Sequence, residues 1–357
     1  MPERIIVGMS GGVDSAVSAL LLKEKGFDVE CVFMKNWEDK SDYCTTERDY
    51  KDALMASEFL GLPLRTVNFT KEYKEFVFKI FLEEYTAGRT PNPDTLCNKE
   101  IKFKAFLEYA LTLGANRIAT GHYARIVHSN GLVRLLKGTD RNKDQSYFLY
   151  LLNQQQLEKS IFPLGDITKG DVRNIAKEKG LPNFDRKDST GVCFIGERDF
   201  KEFLFQYFKP DPGDMISING KIVGHHDGLM FYTLGQRQGL GIGGGYGLKE
   251  EPWYVVNKDI DNNTLIVAQG HNHPALFHKE LTINDLHWIS GTPPEKTNLS
   301  AKIRYRQHDK KCILIGLSEN EAIIEFDEPQ FAVTPGQAAV LYDGDNCLGG
   351  GTIISRN

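Results

Sequence analysis

The chain has 357 residues, with 43 Lys and Arg against 48 Asp and Glu, a formal net charge of −5, 41% hydrophobic residues and 25% charged residues. That composition excludes wholesale disorder, collagen and a disulfide-stapled mini-protein, and the length leaves room for two or three domains of roughly 100–200 residues. A mildly acidic balance does not by itself mark a nucleic-acid binder. Strand and helix signals alternate through the first two hundred residues. Residues 4–9 form a short apolar run, and 14–25 carry apolar residues at helical spacing up to Gly26, a C-cap. Residues 28–35 read as strand, 49–60 as helix, 64–69 as strand, 71–86 as helix, 100–113 as amphipathic helix and 116–120 as strand. The alternation predicts an α/β fold with a doubly wound, mostly parallel sheet and ligands at the carboxyl ends of its strands.

After about residue 205 helical spacing disappears. Short β-type runs recur between Gly, Asn-Gly and Asp-Asn punctuation: a tight hairpin at 216–225 around Asn219-Gly220, strands at 253–257 and 265–268, then 301–305, 311–317, 322–326, 338–342 and 348–355. The expected division is 1–205 for a nucleotide-binding catalytic domain, 206–277 for a small β-rich central domain and 278–357 for an antiparallel β-barrel. No basic segment with a following apolar stretch opens the chain, and no run approaches the ~18 residues of a membrane span, so a cytoplasmic protein without a membrane partner is expected. The six cysteines are scattered and form no Cys-x-x-Cys, which argues against a zinc ribbon and against an iron–sulfur cluster with its clustered thiolates. Cys31 and Cys312 sit in strand-like runs and read as small buried hydrophobes.

The strongest local signal is Gly8-Met9-Ser10-Gly11-Gly12-Val13-Asp14-Ser15, between an apolar strand and an amphipathic helix. Small residues let backbone approach a phosphate, and the helix behind offers free N–H groups and a positive dipole end. No Lys-Ser/Thr follows, so this is not a Walker A loop, and the spacing is not the dinucleotide fingerprint. A plain capped turn is the alternative. Gly239 to Gly244 formally matches Gly-x-Gly-x-x-Gly but follows no clear strand and opens no helix, so a loop is the better reading. Cys97, in the Pro/Asn/Asp-rich stretch 90–98, and Cys193, in 188–196, each precede a helix, the first expected to begin near Lys99. A thiol near a helix N-terminus is a better nucleophile, and Asp94 lies within reach as acid or base. The alternative for each is a buried loop thiol.

Ser10 to Ser15 resembles the PP-loop of the ATP pyrophosphatases. TPNPDTLCN (90–98), ATGHYAR (119–125), KDQSYFL (143–149), DSTGVCFIG (188–196), FYTLGQRQG (231–239) and PGQAAVLY (335–342) together resemble the tRNA-specific 2-thiouridylases. The resemblance runs in order from residue 8 to beyond 340. It implies a sulfurtransferase that replaces the C2 oxygen of the wobble uridine of tRNA with sulfur. ATP, with Mg2+ near Asp14, would adenylate that oxygen and leave as AMP and pyrophosphate. Gly8, Met9, Ser10, Gly11, Gly12, Val13, Asp14, Ser15, Met34 and Gly121 would bind ATP. Cys193 would carry a persulfide, Cys97 would be the nucleophile, Asp94 the general acid/base, and a transient Cys97–Cys193 disulfide would form if Cys97 attacks the persulfide. Asn92, Pro93 and Asp94 would meet the target base; His122, Lys143, Asp144, Gln145, Arg304, Tyr305 and Gln337 would contact tRNA. The basic stretch 302–311 suits phosphate contact and base stacking. The implied partners are lysine, glutamate and glutamine tRNAs and a persulfide carrier or cysteine desulfurase, with a monomer as the default. Competing readings are another PP-loop ligase of amidotransferase or lysidine type, which needs no cysteine pair, and a nucleotide-sensing RNA-binding module without turnover.

Overall fold

In the computed structural model, residues 2–38, 46–188, 194–196, 199–242 and 251–357 are described. Among the described residues of the first two hundred the strands are β1 (Arg4–Gly8), β2 (Asp28–Lys35), β3 (Leu64–Asn68), β4 (Arg117–Ala119), β5 (Ala124–Ser129), β6 (Leu132–Lys137) and β7 (Ser160–Ile161). The parallel sheet has the order β3-β2-β1-β4-β7. Ile5, Ile6 and Val7 on β1 are wholly buried, as a central parallel strand covered on both faces requires. The helix Val13–Glu24 buries Ala16, Val17, Ala19 and Leu20 against it. The chain leaves β1 to β2 on one side and β4 on the other, so the sheet's switch point lies beyond Gly8.

The central segment is the sheet β10-β11-β8-β9, built from β8 (Gly213–Ser217), β9 (Ile222–His226), β10 (Trp253–Asp259) and β11 (Thr264–Gln269). Its first hairpin turns at Gly220 with φ +80°, a left-handed position that suits glycine. The last part contains β12 (Phe277–Trp288), β13 (Asn298–Lys302), β14 (Lys310–Leu317), β15 (Glu321–Phe331), β16 (Ala338–Asp343) and β17 (Asn346–Arg356). Pairing of β12 with β17 closes the ladder β12-β15-β14-β13-β16-β17 into an antiparallel barrel around Leu281, Ile283, Ile324, Phe326, Leu341 and Ile353.

Three differences from the sequence expectation bear on function. The helix expected near Lys99 begins at Pro93 and runs as Pro93–Leu96, a π-helical stretch Cys97–Ala105, and Phe106–Thr112. Asn92 caps it and Pro93 takes the first helical position, where a missing N–H is harmless. The strand expected over 301–305 ends at Lys302, and Arg304 and Tyr305 lie in the following turn. The β5–β6 hairpin, not expected at all, extends the barrel sheet through β17. Residues 239–242 form no strand or helix, and Gly243 and Gly244 fall outside the described residues. No helix among the described residues is long and apolar enough to cross a membrane.

Candidate functional site

The glycine loop leaves β1 at the switch point. Gly11 has φ +81°; a Cβ there would collide with the backbone oxygen of Asp49 and lie 2.9 Å from Nη1 of Arg186. Asn183 donates to the Gly11 carbonyl at 2.8 Å. Ser15 Oγ donates to the Gly12 carbonyl at 2.9 Å and accepts from the Ser10 N–H at 3.2 Å, so this hydroxyl braces the loop. No side chain caps the helix at Gly12, which leaves first-turn N–H groups for an anion. Met34 and Gly121 border the loop: a Cβ on Gly8 would lie 3.1 Å from Met34 Cε, and one on Gly121 3.0 Å from the Asp14 backbone.

A charge network covers the loop. Lys169, mostly buried, donates to both carboxylate oxygens of Asp14 at 2.7 and 2.8 Å, and Tyr123 donates to Asp14 Oδ1 at 2.7 Å. The same ammonium lies 2.7 Å from Asp188, which also pairs with Lys143 at 2.6 Å and Arg173 at 2.8 Å. Burial would raise the Asp188 carboxyl, but hydrogen bonds from Lys143 and Lys169 outweigh it and hold the carboxyl down at about 2. Lys169, Tyr123 and Asn183 were not singled out from sequence. The legible signal for Lys169 was the capping pattern Thr168-x-x-Asp171, which marks a helix start; its two acidic partners come from distant segments.

The second centre is the start of the helix at Pro93. Asn92 Oδ1 accepts from the Asp94 N–H at 3.2 Å and Thr95 Oγ1 donates to the Asn92 carbonyl at 2.8 Å. Asp94 and Cys97 are three residues apart on one helix, hence on one face. Burial raises the Asp94 carboxyl above its ordinary range, only partly countered by Lys102. Cys97 is 3% exposed and opens the π-helical stretch, a distortion that occurs often at functional positions. Cys193 lies outside the described residues. Its described neighbours are anchored: Asp188 in the charge network, and Phe194 in an aromatic cluster with Trp37, Phe78, Phe81 and Phe203 at ring distances of 4.8–5.7 Å.

The residues expected at tRNA have protein partners. His122 is buried, bonds Thr120 through Nδ1 at 2.7 Å, and is held neutral because burial drives its pKa well below the usual value. Lys302 and Asp144, 6% and 2% exposed, form a 2.8 Å ion pair. Gln145 accepts from the Tyr123 N–H at 3.0 Å. Arg304 donates to the carbonyls of Leu234 and Ala332, each at 2.9 Å, and to Thr334 Oγ1 at 3.0 Å; burial lowers its pKa. Tyr305 packs against Phe148 with ring centroids 4.3 Å apart and the rings tilted by 39°. Gln337 donates to the carbonyls of Thr90 and Pro91 at 2.8 and 3.3 Å. Arg306, His308, Lys310 and Lys311 are the less committed members of the basic stretch, and all four are exposed.

Comparison with known proteins gives a consistent picture over the whole length. Residues 3–197 match the tRNA methyl transferase HUP domain family, 201–269 the tRNA methyl transferase PRC-barrel domain and 278–353 the aminomethyltransferase beta-barrel domain. The tRNA-specific 2-thiouridylase MnmA of Nitrosomonas eutropha is 58% identical over 98% of this chain and 98% of its own. That of Nitrosomonas europaea is 56% identical over 99% of each, and that of Chromobacterium violaceum 57% identical over 98% of this chain and 92% of its own.

Proposed function

This chain belongs to the tRNA-specific 2-thiouridylases, and from that premise we propose that it catalyses ATP-dependent 2-thiolation of the wobble uridine of tRNA. The observation that most supports this reading is the carboxyl–thiol pair Asp94 and Cys97 on one helix turn, in a sequence that also carries the motif 188–196 with Cys193. A pyrimidine C2 oxygen is a poor leaving group; ATP supplies an adenylyl group that turns it into AMP. The uncapped helix start at Gly12, Gly11 where a Cβ would collide with backbone, and the tightly flanked Gly8 and Gly121 fit the polyphosphate of ATP, with Met34 toward the adenine. Asp14 is engaged by Lys169 and Tyr123, and no group of three or more His, Cys, Asp or Glu side chains among the described residues could hold a metal ion. A Mg2+ ion would therefore be held chiefly by the phosphates, with Asp14 at its edge.

Cys193 receives sulfur as a persulfide from a carrier protein or a cysteine desulfurase. Either the persulfide attacks the adenylated carbon and displaces AMP, after which Cys97 cleaves the S–S bond to Cys193 and releases the thiolated base, or Cys97 attacks the persulfide first and frees sulfide, which attacks the carbon and displaces AMP; both routes leave a Cys97–Cys193 disulfide that a thiol reductant returns to two thiols. Two sulfurs bond at about 2 Å, and Cys97 is nearly closed off from solvent, so at least one of the two cysteine loops moves or folds when tRNA binds. Asp94 moves the proton. Lysine, glutamate and glutamine tRNAs are the proposed substrates. Arg304, Tyr305, His122, Lys143, Asp144, Gln145 and Gln337 remain the proposed contacts, together with the exposed basic residues after Arg304. A cytoplasmic monomer, divided at 205/206 and 277/278, completes the reading.

The test is mass analysis of tRNA nucleosides after incubation with ATP and a sulfide source. We expect 2-thiouridine and pyrophosphate release that depends on tRNA. Pyrophosphate release without thiolation would favour another PP-loop ligase, and binding of ATP and tRNA without release would favour a sensing module.

A further inference from the structure

The segment before Cys97 is unusual in its hydrogen-bonding needs. Pro91 and Pro93 have no N–H, so the segment is held mainly through its carbonyls. The Asn92 carbonyl is satisfied locally by Thr95 Oγ1 at 2.8 Å. The carbonyls of Thr90 and Pro91 both accept from one donor, the amide of Gln337, at 2.8 and 3.3 Å. The Thr90 N–H donates back to the Pro335 carbonyl at 3.1 Å. Between them Gly336 has φ +91°, and a Cβ there would lie 2.9 Å from the Thr90 nitrogen and 3.0 Å from Arg89 Cβ. The barrel turn and the segment are thus in backbone contact. One residue further, the Ala338 carbonyl accepts from Tyr147 Oη at 3.1 Å. Asn92 is the cap of the helix that carries Asp94 and Cys97.

We propose that Gln337 is a positioning residue for sulfur transfer: through its amide the C-terminal barrel fixes the segment that aims Asp94 and Cys97. The proposal rests on the reading of Cys97 as nucleophile, and it goes beyond a contact between Gln337 and RNA. A pure RNA contact acts on tRNA affinity. A positioning residue acts on the rate once tRNA is bound, because small misplacements of reacting groups are costly in rate, and on the protection of the thiol before tRNA arrives.

Two variants of the full chain test it. Gln337→Glu keeps the shape but turns the donor toward two carbonyls into an acceptor; Gln337→Ala removes it. Single-turnover thiolation at saturating tRNA should fall by about 10-fold to 100-fold, a loss in rate that remains after any rise in KM from a lost Gln337–tRNA contact is saturated out. Independently, iodoacetamide labelling of Cys97 in the free protein, read by peptide mass spectrometry, should be several-fold faster than in the parent, with the melting temperature nearly unchanged. A raised KM with an unchanged single-turnover rate, or a parent-like labelling rate, would overturn the proposal. The labelling arm needs no turnover. If the parent made no 2-thiouridine at all, the proposed function would fail while this arm still reported whether Gln337 holds the segment.

Discussion

Asp94 and Cys97 share a helix face, and the burial that shields them also tunes the acid. Burial raises the Asp94 carboxyl and Lys102 only partly offsets this. The ionised form that accepts a proton is present above that raised pKa and lost as pH falls through it. The acid limb of the single-turnover rate should therefore lie above the ordinary carboxylate range. Asp94→Asn should abolish the limb and lower the rate by about 10²–10⁴; an unchanged pH profile would remove Asp94 from proton transfer. Cys97→Ser and Cys193→Ser should each eliminate 2-thiouridine, measured by nucleoside mass analysis, while ATP affinity by calorimetry stays within about twofold, since neither thiol belongs to the glycine loop. Thiolation that persists in either variant would sink the two-cysteine route. The sequence made both cysteines and Asp94 stand out by their setting. Whether Cys97 would be open or closed off it left undecided; the thiol is almost closed off in the core cluster, a matter of tertiary packing rather than of local sequence.

The glycine loop shows how an element can be read and still be under-described. Its small residues predicted a phosphate cradle, and the loop does sit at the switch point of the sheet. What the sequence did not give is the backing: Asp49, Asn183 and Arg186 pack under Gly11. Gly11→Ala meets two penalties, about 1–2 kcal/mol for a left-handed backbone and a collision with the Asp49 backbone. It should weaken ATP binding at least about tenfold and lower the melting temperature. Gly26→Ala is the control. Its φ is +82°, but nothing lies within 4 Å of its Cβ position, so it should lose only the backbone term and leave ATP affinity intact. Equal effects on affinity would show that the loop tolerates a shift. The helix at Pro93 illustrates the opposite difficulty. Two prolines signal a turn, yet Pro is also favoured at the first helical position; Asn92 and Pro93 fit the second use, and the helix starts six residues before Lys99.

Across the whole molecule, the catalytic part and the barrel are joined by buried polar contacts. The Lys302–Asp144 pair is the most buried of these, and Asp144 Oδ1 also accepts from the N–H groups of Gly138 and Ser146, each at 3.1 Å. Lys302→Met leaves the carboxylate uncompensated and should destabilise the protein by about 3–5 kcal/mol, read as a lowered urea midpoint. Lys302→Met with Asp144→Asn should recover a substantial part, because the buried charge is gone; a double variant as unstable as the single would show that the pair matters through hydrogen bonds alone. The basic stretch 302–311 therefore divides. Lys302 and Arg304 brace the junction, whereas Arg306, His308 and Lys310 remain exposed and are the better placed to meet phosphate, at a cost in affinity that rises with salt.

By itself the sequence determined the α/β class, the β-rich remainder, the glycine loop and the two cysteine motifs, because each is written in local spacing and turn chemistry within a few residues. The tertiary structure alone decided which charges meet: Asp14 with Lys169, Asp188 with Lys143 and Arg173, Lys302 with Asp144. It also decided that Gln337 of the barrel holds the carbonyls of Thr90 and Pro91. Such pairings depend on how distant segments are brought together by the sheet and the barrel. A charge or an amide carries no local mark of the partner it will find.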